Sequence, residues 1–517
     1  MSPTRIAPAG PGGAGIGEHT ALMQPRFFNT LAGRIEEFHP LVDNLVRMYA
    51  CGPTVYDYGH IGNFRTFVVV DTLRRFLLQS GYKLQHVMNI TDVDDKIIQK
   101  ASAAGVGIGD YTRKYELAFL EDSAFLNIQP PEKIVRATDH IDDMAEFVAS
   151  LVEKGHAYRA ENGSYYFRVA SFKEYGKLSR KNFDEIEPGA RVDVDEHDKE
   201  TARDFALWKA KKPGEAFWET SIGAGRPGWH LECSTMAMKY LGDSFDIHLG
   251  GEDLIFPHHE NEIAQSEALS GKTFARTWIH CRFLLVEGEK MSKSAGNFYT
   301  LRDLLLKGHK PSSVRYLLAS VPYGRQLNFT TDGLKQAAQS VERLRNFKLR
   351  LENGGFPAGD GGAFADLGRR TLERMMNALA DDLNTAEALA AIFDMVREVN
   401  TAADAGQVKQ GDIPALLEAI CKFDQLIPVV QDDDTAKIQR VIEWAKEEGR
   451  TGEISPETLE IARSGQISDE QINALIAERQ QARKEKNFAR SDEIRDQLAA
   501  LGIVVEDSKD GIRWKRK

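Results

Sequence analysis

The sequence predicts an α/β protein: a parallel nucleotide-binding sheet split by an insertion, followed by a helical bundle and a small C-terminal α+β domain. Three observations carry this. Strand-like VRMYACG, helix-patterned HIGNFRTFVVVDTLRRFLLQSGY and strand-like KLQHVMNITDVDD succeed one another at the spacing of a β-α-β unit. After an irregular acidic stretch, the second half of the fold returns with ALWKAKKPGE, GWHLECS, FDIHLGGEDLIF and TWIHCRFLLVEG. From about Thr300 onward, apolar residues recur at helical spacing in LRDLLLKG, SSVRYLLASV and GLKQAAQSVERLRNFKLRLENG.

Taken in order, residues 1–24 are rich in Gly, Ala and Pro without periodicity and read as a disordered leader. Residues 25–129 form the first half of the nucleotide-binding domain, whose helix should end near Gly81. Residues 130–205 are the insertion, with SYYFRVASF as a strand and EIEPGARVDVDEHDKE as an acidic loop. Residues 206–300 are the second half and end in the loop KMSKS. Helical segments fill 301–350 and, after a Gly-rich linker, a bundle at 351–440. Residues 441–517 read as helix, helix and two short strands around DSKDG, a separate small domain. No internal repeat is evident.

Composition bounds the function. A chain of 517 residues, 42% hydrophobic and 28% charged, can bury several cores, and no run reaches the roughly 18 apolar residues of a membrane span. A cytoplasmic address and no membrane partner are expected. Four cysteines cannot build a disulfide framework for this length, which leaves thiols for metal or catalysis. The net charge of −11 opposes a nucleic-acid partner overall, but residues 479–517 hold eleven Lys or Arg against seven Asp or Glu. That basic end suits an anionic partner.

The residues with chemistry lie in two groups. In PHHENE, Pro257 can open a helix that sets His258 and Glu262 four apart on one face, where both reach one ion. Cys233 in GWHLECS supplies a thiolate, and Cys51 in MYACGPTVYDYGHIGN is the candidate fourth donor of a tetrahedral zinc site. A lone cysteine is usually a buried apolar residue, and Cys281 and Cys421 fit that description. The second group handles phosphate. His60-Ile61-Gly62-Asn63 opens a helix whose N-terminus attracts anions, with a helix cap as the bland role for Asn63. Lys290 and Lys293 in KMSKS form a small, basic loop able to close on a triphosphate.

HIGN before KMSKS resembles the paired signatures of class I aminoacyl-tRNA synthetases. ACGPTVYDYGHIGN, MNITDVDDKI, DFALWK, GRPGWHLECS, GGEDLIFPHHENEIAQSEA, KMSKSAGNF, DDLNTAEALA and the ARSDEIRDQL ending resemble the cysteinyl-tRNA synthetase family from about Pro25 to the C-terminus. The resemblance implies a class I Rossmann-like fold with a connective domain, a stem-contact region at 301–350 and an anticodon-binding domain at the end. One Zn²⁺ per chain on Cys51, Cys233, His258 and Glu262 is implied, with the amino acid against Thr91 and Trp229. ATP, accompanied by Mg²⁺, would meet His60, Asn63, Asp253, Lys290 and Lys293. Where the first signature ordinarily ends in His, this chain has Asn63, which can donate a hydrogen bond but carries no charge. Partners are L-cysteine, ATP and tRNA(Cys), with Arg490, Arg513, Trp514 and Lys515 as tRNA candidates and a monomer expected. Cysteine and serine differ by one atom, and ordinary contacts separate such near-isosteres by only about 1–3 kcal/mol. Zinc prefers the thiolate, so no editing domain is expected. Two other readings compete: a cysteine ligase with a small-molecule amine acceptor, and a zinc-stabilised nucleic-acid-binding protein without catalysis. The basic terminal domain opposes the first, the intact ATP signatures the second.

Overall fold

A computed structural model describes residues 23–181, 203–292, 294–464, 467, 469–508 and 511–516. The expected leader at 1–24 therefore lies almost wholly outside the described residues, as do most of the acidic loop in the insertion and Lys293 of KMSKS.

Five parallel strands form the central sheet, in the order Ala275–Cys281, Phe245–Gly251, Leu45–Ala50, Lys83–Ile90, Lys133–Arg136. The chain enters at the middle strand, Leu45–Ala50, builds outward to one side and later returns on the other. The crevice at the strand C-termini beside Leu45–Ala50 is thus a topological switch point, the place where such sheets bind ligands. Helix Ile61–Gln79 crosses from Leu45–Ala50 to Lys83–Ile90, and its apolar residues Phe67–Val70, Leu73, Phe76 and Leu77 are buried because sheet and bundle sandwich it, whereas Leu78 at its end is exposed.

The sheet corrects two expected boundaries. Lys133–Arg136 pairs in parallel with Lys83–Ile90, so the first half of the nucleotide-binding fold passes residue 129. Conversely, Phe205–Ala210 and Gly225–Pro227 complete an antiparallel sheet with Ala157–Arg159 and Tyr165–Phe167, so the insertion runs past residue 205. Only the middle of SYYFRVASF is strand; Val169–Ser171 turns as a short 3₁₀ helix.

Beyond Thr300, helices Leu301–Leu306, Pro311–Ala319, Thr331–Asn353, Ala363–Ala380, Thr385–Asp404, Ile413–Leu426 and Asp434–Glu447 share one core with a face of the central sheet. Boundaries at 350 and 440 fall inside Thr331–Asn353 and Asp434–Glu447, so neither separates domains. Cys421 is a further correction: Leu416, Ala419, Ile420 and Phe423 fill the inner face of its helix, leaving the thiol exposed. Buried ion pairs tie bundle to sheet. Arg315 donates to Asp71 on Ile61–Gln79 and to Leu126 O at 2.6 Å, while Arg302 donates to Asp122 at 2.7 Å. Helices Asp469–Lys484 and Phe488–Ala500 pack with the hairpin Ile503–Ser508 and Gly511–Arg516 around a core of their own, as the sequence suggested.

Candidate active site and metal centre

Three elements bring the metal-donor candidates together at the switch point. Cys51 directly follows the middle strand, Cys233 faces inward from helix Trp229–Leu241, and His258 and Glu262 flank the start of helix Glu260–Ser270. Pro257 does not open that helix as expected; it lies in the turn Ile255–His259, whose Phe256 is extended. The i,i+4 relation survives nonetheless, with His258 Nε2 2.9 Å from Glu262 Oε1. All four donors are buried, and their ligand atoms lie within 4.8 Å of one another. The two sulfurs are 3.9 Å apart. Two thiolates about 2.3 Å from a tetrahedral zinc would be separated by about 3.8 Å, so the donor set fits such an ion.

A histidine shell that the sequence reading missed surrounds this group. His248 Nε2 lies 2.8 Å from Glu262 Oε2, His259 Nε2 3.3 Å from Cys51 Sγ, and His259 Nδ1 2.8 Å from His280 Nε2. The remaining nitrogen of His280 meets Thr30 Oγ1 at 2.7 Å. His230 Nδ1 is 3.0 Å from His258 Nδ1, the kind of second contact that orients a ligating imidazole. Cys51, His248, His259 and Glu262 form a second, overlapping set of possible ligands. A signal existed: His248 and His280 sit near the C-terminal ends of neighbouring parallel strands.

Charge is arranged for a cation. Burial opposes ionisation of Glu262, but the charges of His248 and His258 hold its carboxyl down at about 2. For Cys233, burial is outweighed by hydrogen bonding to Cys51 and the neighbouring His258, which lower the thiol to about 6. Burial and then the Cys233 contact push the Cys51 thiol well up. His258 is raised to about 10, burial being overcome by the Glu262 charge and the Cys233 contact. Burial, then neighbouring imidazoles, drive His259 well down.

Thr91 and Trp229 border this centre. Trp229, at the start of its helix and 39% exposed, stacks on the His258 ring with centroids 4.3 Å apart. Thr91 follows strand Lys83–Ile90 and is buried; its hydroxyl donates to Glu232 Oε2 at 2.8 Å. Burial pushes the Glu232 carboxyl well above the usual range. Asp253 is exposed in the turn Glu252–Leu254, just past strand Phe245–Gly251.

The HIGN segment meets the stretch just after KMSKS, at Tyr299 and Thr300, through the backbone. His60 caps helix Ile61–Gln79, its Nδ1 accepting from Asn63 N–H at 3.1 Å while Asn63 Oδ1 accepts from His60 N–H at 3.1 Å. The expected capping role of Asn63 is therefore present. Ile61 N–H donates to Tyr299 O at 3.0 Å, and His60 and Thr300 form an antiparallel bridge. Lys290 ends the short strand Glu289–Lys290 and is exposed. Asn297 shapes the loop after it, accepting from Ser292 N–H at 2.8 Å and donating to Lys290 O at 3.2 Å.

At the C-terminus, Arg490 pairs with Glu478 and Glu493 at 2.8 and 2.7 Å, and Trp514 Nε1 donates to Asn473 at 2.9 Å. Arg513 and Lys515 lie on strand Gly511–Arg516. A cleft of about 1020 Å³ separates this domain from helix Thr331–Asn353, lined in part by Lys310, Arg345, Lys348 and Trp514.

Three family models match the chain. The catalytic domain of class I (C) tRNA synthetases matches residues 37–339, a DALR domain matches 374–427, and a cysteinyl-tRNA ligase anticodon-binding domain matches 468–514. A cysteine–tRNA ligase of Koribacter versatilis is 63% identical over 495 residues, covering 96% of this chain and all of the relative. The chain belongs to the cysteine–tRNA ligase family. A second cysteine–tRNA ligase, from Solibacter usitatus, is 53% identical over the same span. Among solved structures, Mycobacterium tuberculosis methionyl-tRNA synthetase with methionyl-adenylate superposes with a TM-score of 0.56 at 17% identity, over 79% of this chain and 96% of that one. That likeness concerns the fold alone. The fold is thus the class I synthetase fold, and the model boundary at 468 moves the start of the C-terminal domain from the expected 441. No helix among the described residues is long and apolar enough to cross a membrane.

Proposed function

We propose that this family member joins L-cysteine to tRNA(Cys) through a cysteinyl-adenylate. The observation that carries the reading is the convergence of Cys51, Cys233, His258 and Glu262 beside Trp229 and the Thr91–Glu232 pair, at the switch point of the sheet. A cysteine carboxylate oxygen attacks the α-phosphorus of ATP, and the bond to pyrophosphate breaks. A terminal ribose hydroxyl of the tRNA then attacks the activated carbonyl, and AMP leaves.

Zinc, held by Cys51, Cys233, His258 and Glu262, would supply a soft ion that binds a thiolate in preference to a hydroxyl. Two thiolates and a carboxylate around that ion also make it a poor activator of water. Thr91 and Trp229 would seat the backbone of the amino acid. The open end of helix Ile61–Gln79 with His60 and Asn63, together with Lys290 and Lys293, would stabilise charge on the phosphates, and Mg²⁺ would accompany ATP. Asp253 lies at a strand end suited to the ATP ribose. Trp514 and Lys310 on the large cleft, with Arg490, Arg513 and Lys515, are proposed tRNA contacts. A cytoplasmic monomer fits this reading.

ATP–pyrophosphate exchange with each of the twenty amino acids tests it. Exchange confined to cysteine supports the proposal; exchange with none, or equally with serine, refutes it. Charging of tRNA(Cys) separates this reading from a ligase with a small-molecule acceptor, which would activate cysteine yet leave tRNA uncharged.

A further inference from the structure

A side-chain joint lies beside the backbone bridge between His60 and Thr300. In antiparallel register the position two before His60 faces the position two after Thr300, and these are Tyr58 and Arg302. Their side chains meet accordingly: the guanidinium carbon of Arg302 lies 5.3 Å from the centre of the half-buried Tyr58 ring. Arg302 is 1% exposed and is held by helix Ile108–Phe125, where Asp122 accepts from its Nε at 2.7 Å and Glu121 from a terminal nitrogen at 2.6 Å. Tyr115 of the same helix packs edge-on against Tyr58, with ring centroids 5.2 Å apart.

The bundle closes this joint. Trp444, buried on helix Asp434–Glu447, lies under two guanidinium groups, that of Arg302 at 4.6 Å and that of Arg450 at 5.1 Å, and indole is the aromatic ring that attracts a cation most strongly. Its N–H, which can only donate, meets Tyr58 Oη at 3.2 Å. Arg450 reaches the other side of the bridge. It donates to Asp303 Oδ1 at 2.8 Å, and Asp303 Oδ2 accepts from Thr300 N–H at 2.9 Å. Residues 444–450 of the bundle thus hold the approach to His60 through Tyr58, and the exit from the KMSKS loop through Arg302 and Asp303. A shift of about 1 Å in groups that orient a reacting centre can cost on the order of a hundredfold in rate, even when the change is remote.

We infer that Trp444 is a positioning residue for amino-acid activation: through Tyr58 and Arg302 it sets the spacing between the His60 turn and the end of the KMSKS loop, so that the helical bundle governs the activation rate before any tRNA binds. This rests on the cysteine-activation reading. It concerns the phosphate side of that site and leaves the thiol side untouched.

The test uses full-length wild type, Trp444→Leu, Trp444→Phe, Tyr58→Phe and the double Phe variant in cysteine-dependent pyrophosphate exchange without tRNA, well below each Tm. Leu416→Ala, which opens a cavity on another helix of the bundle, is the control for lost stability. Trp444→Leu should lower kcat by about tenfold or more, while KM for cysteine and zinc per chain change by less than about twofold. Trp444→Phe keeps a ring and loses the N–H, so it should recover part of that activity and fall by about threefold, the value of one hydrogen bond. Tyr58→Phe should fall by a similar factor, and the double variant by little more than either single, because both remove the same bond. Leu416→Ala should lower the Tm yet keep kcat within about twofold of wild type. An unchanged kcat in Trp444→Leu, an equal loss in Leu416→Ala, a parallel rise in KM for cysteine, or Phe variants whose effects multiply would each overturn the inference. If Trp444→Leu does not fold, the two Phe variants and their coupling decide the matter alone. Absence of cysteine-dependent exchange in wild type would sink the activity reading itself; an active wild type with undiminished Trp444 variants sinks only this one.

Discussion

Asp71 and Arg315 join the helix that begins at His60 to the first long helix of the bundle, and their environments differ in a way that fixes the outcome of mutation. Arg315 is fully buried; among the described residues its Nε has no partner, and its other nitrogens reach only Asp71 and Leu126 O. Asp71 is better supplied, also accepting from Arg75 Nε at 2.7 Å and from Gln129 N–H at 2.8 Å. Asp71→Asn therefore leaves a buried guanidinium without its anion, which costs about 3–5 kcal/mol. Arg315→Met leaves Asp71 with a guanidinium and a backbone amide, and the main loss is the donor to Leu126 O, about 1–3 kcal/mol. For a cooperative unit of this size, each kcal/mol corresponds to roughly 2–4 °C, so Asp71→Asn should lower the apparent Tm by roughly 6–20 °C. Arg315→Met should lower it by clearly less. The double variant should lie near or above Asp71→Asn, because removing the stranded charge relieves part of its penalty. Thermal scans at one fixed rate, repeated as urea midpoints, measure all three. Equal losses for the two single variants, or additive losses in the double, would refute the reasoning.

Other outcomes follow from the site and the core. Cys233→Ser should lose its bound zinc together with cysteine-dependent exchange, measured by metal content and pyrophosphate exchange; full activity in a zinc-free variant would refute the metal assignment. Truncation after Ser464 should raise KM for tRNA by about tenfold or more while leaving exchange nearly unchanged, because phosphate and base contacts are lost and the active site is not. If both fall alike, the domain is structural. His86 is buried without a hydrogen-bond partner on either ring nitrogen, and burial, then the charge of Arg74, lowers its pKa to about 3. Its folded-state pKa lies below the ordinary 6.5, so the unfolded chain binds the proton more readily and stability falls as pH drops from about 6.5 toward 3. The loss approaches roughly 5 kcal/mol at the acid end, and urea midpoints from pH 7 to 4 should fall less steeply in His86→Met than in wild type. Identical slopes would exclude His86 as the cause.

Two of the four candidate metal donors were legible because their spacing is local. His258 and Glu262 are one helical turn apart, and the turn around Pro257 changes the start of the helix without changing that relation. Cys51 was legible only through its neighbours, since nothing in spacing links it to Cys233. His248 and His280 escaped because a buried histidine on a strand looks like any other core position until the strands are aligned, and His259 because helical spacing to Glu262 singled out its neighbour His258. Boundaries failed for a related reason: Lys133–Arg136 and Gly225–Pro227 are short strands without alternation, assigned by their partners rather than by their residues. Asn89 and Glu232 carry no sequence signal at all. Both hydrogen-bond to Thr91, a contact that only the fold brings about.

The backbone bridge between His60 and Thr300 bears on how this chain can vary. An N–H of one segment and a carbonyl of the other, more than 230 positions away in sequence, share a hydrogen bond. Length on either side of that contact is therefore set to the residue. One added amino acid between Lys290 and Thr300 would shift Tyr299 out of register with Ile61, whereas the connective insertion, joined elsewhere on the sheet, can grow or shrink without touching it. Tolerance to insertion should be low on either side of this contact and higher in the connective insertion, a pattern set by pairing geometry rather than by residue chemistry.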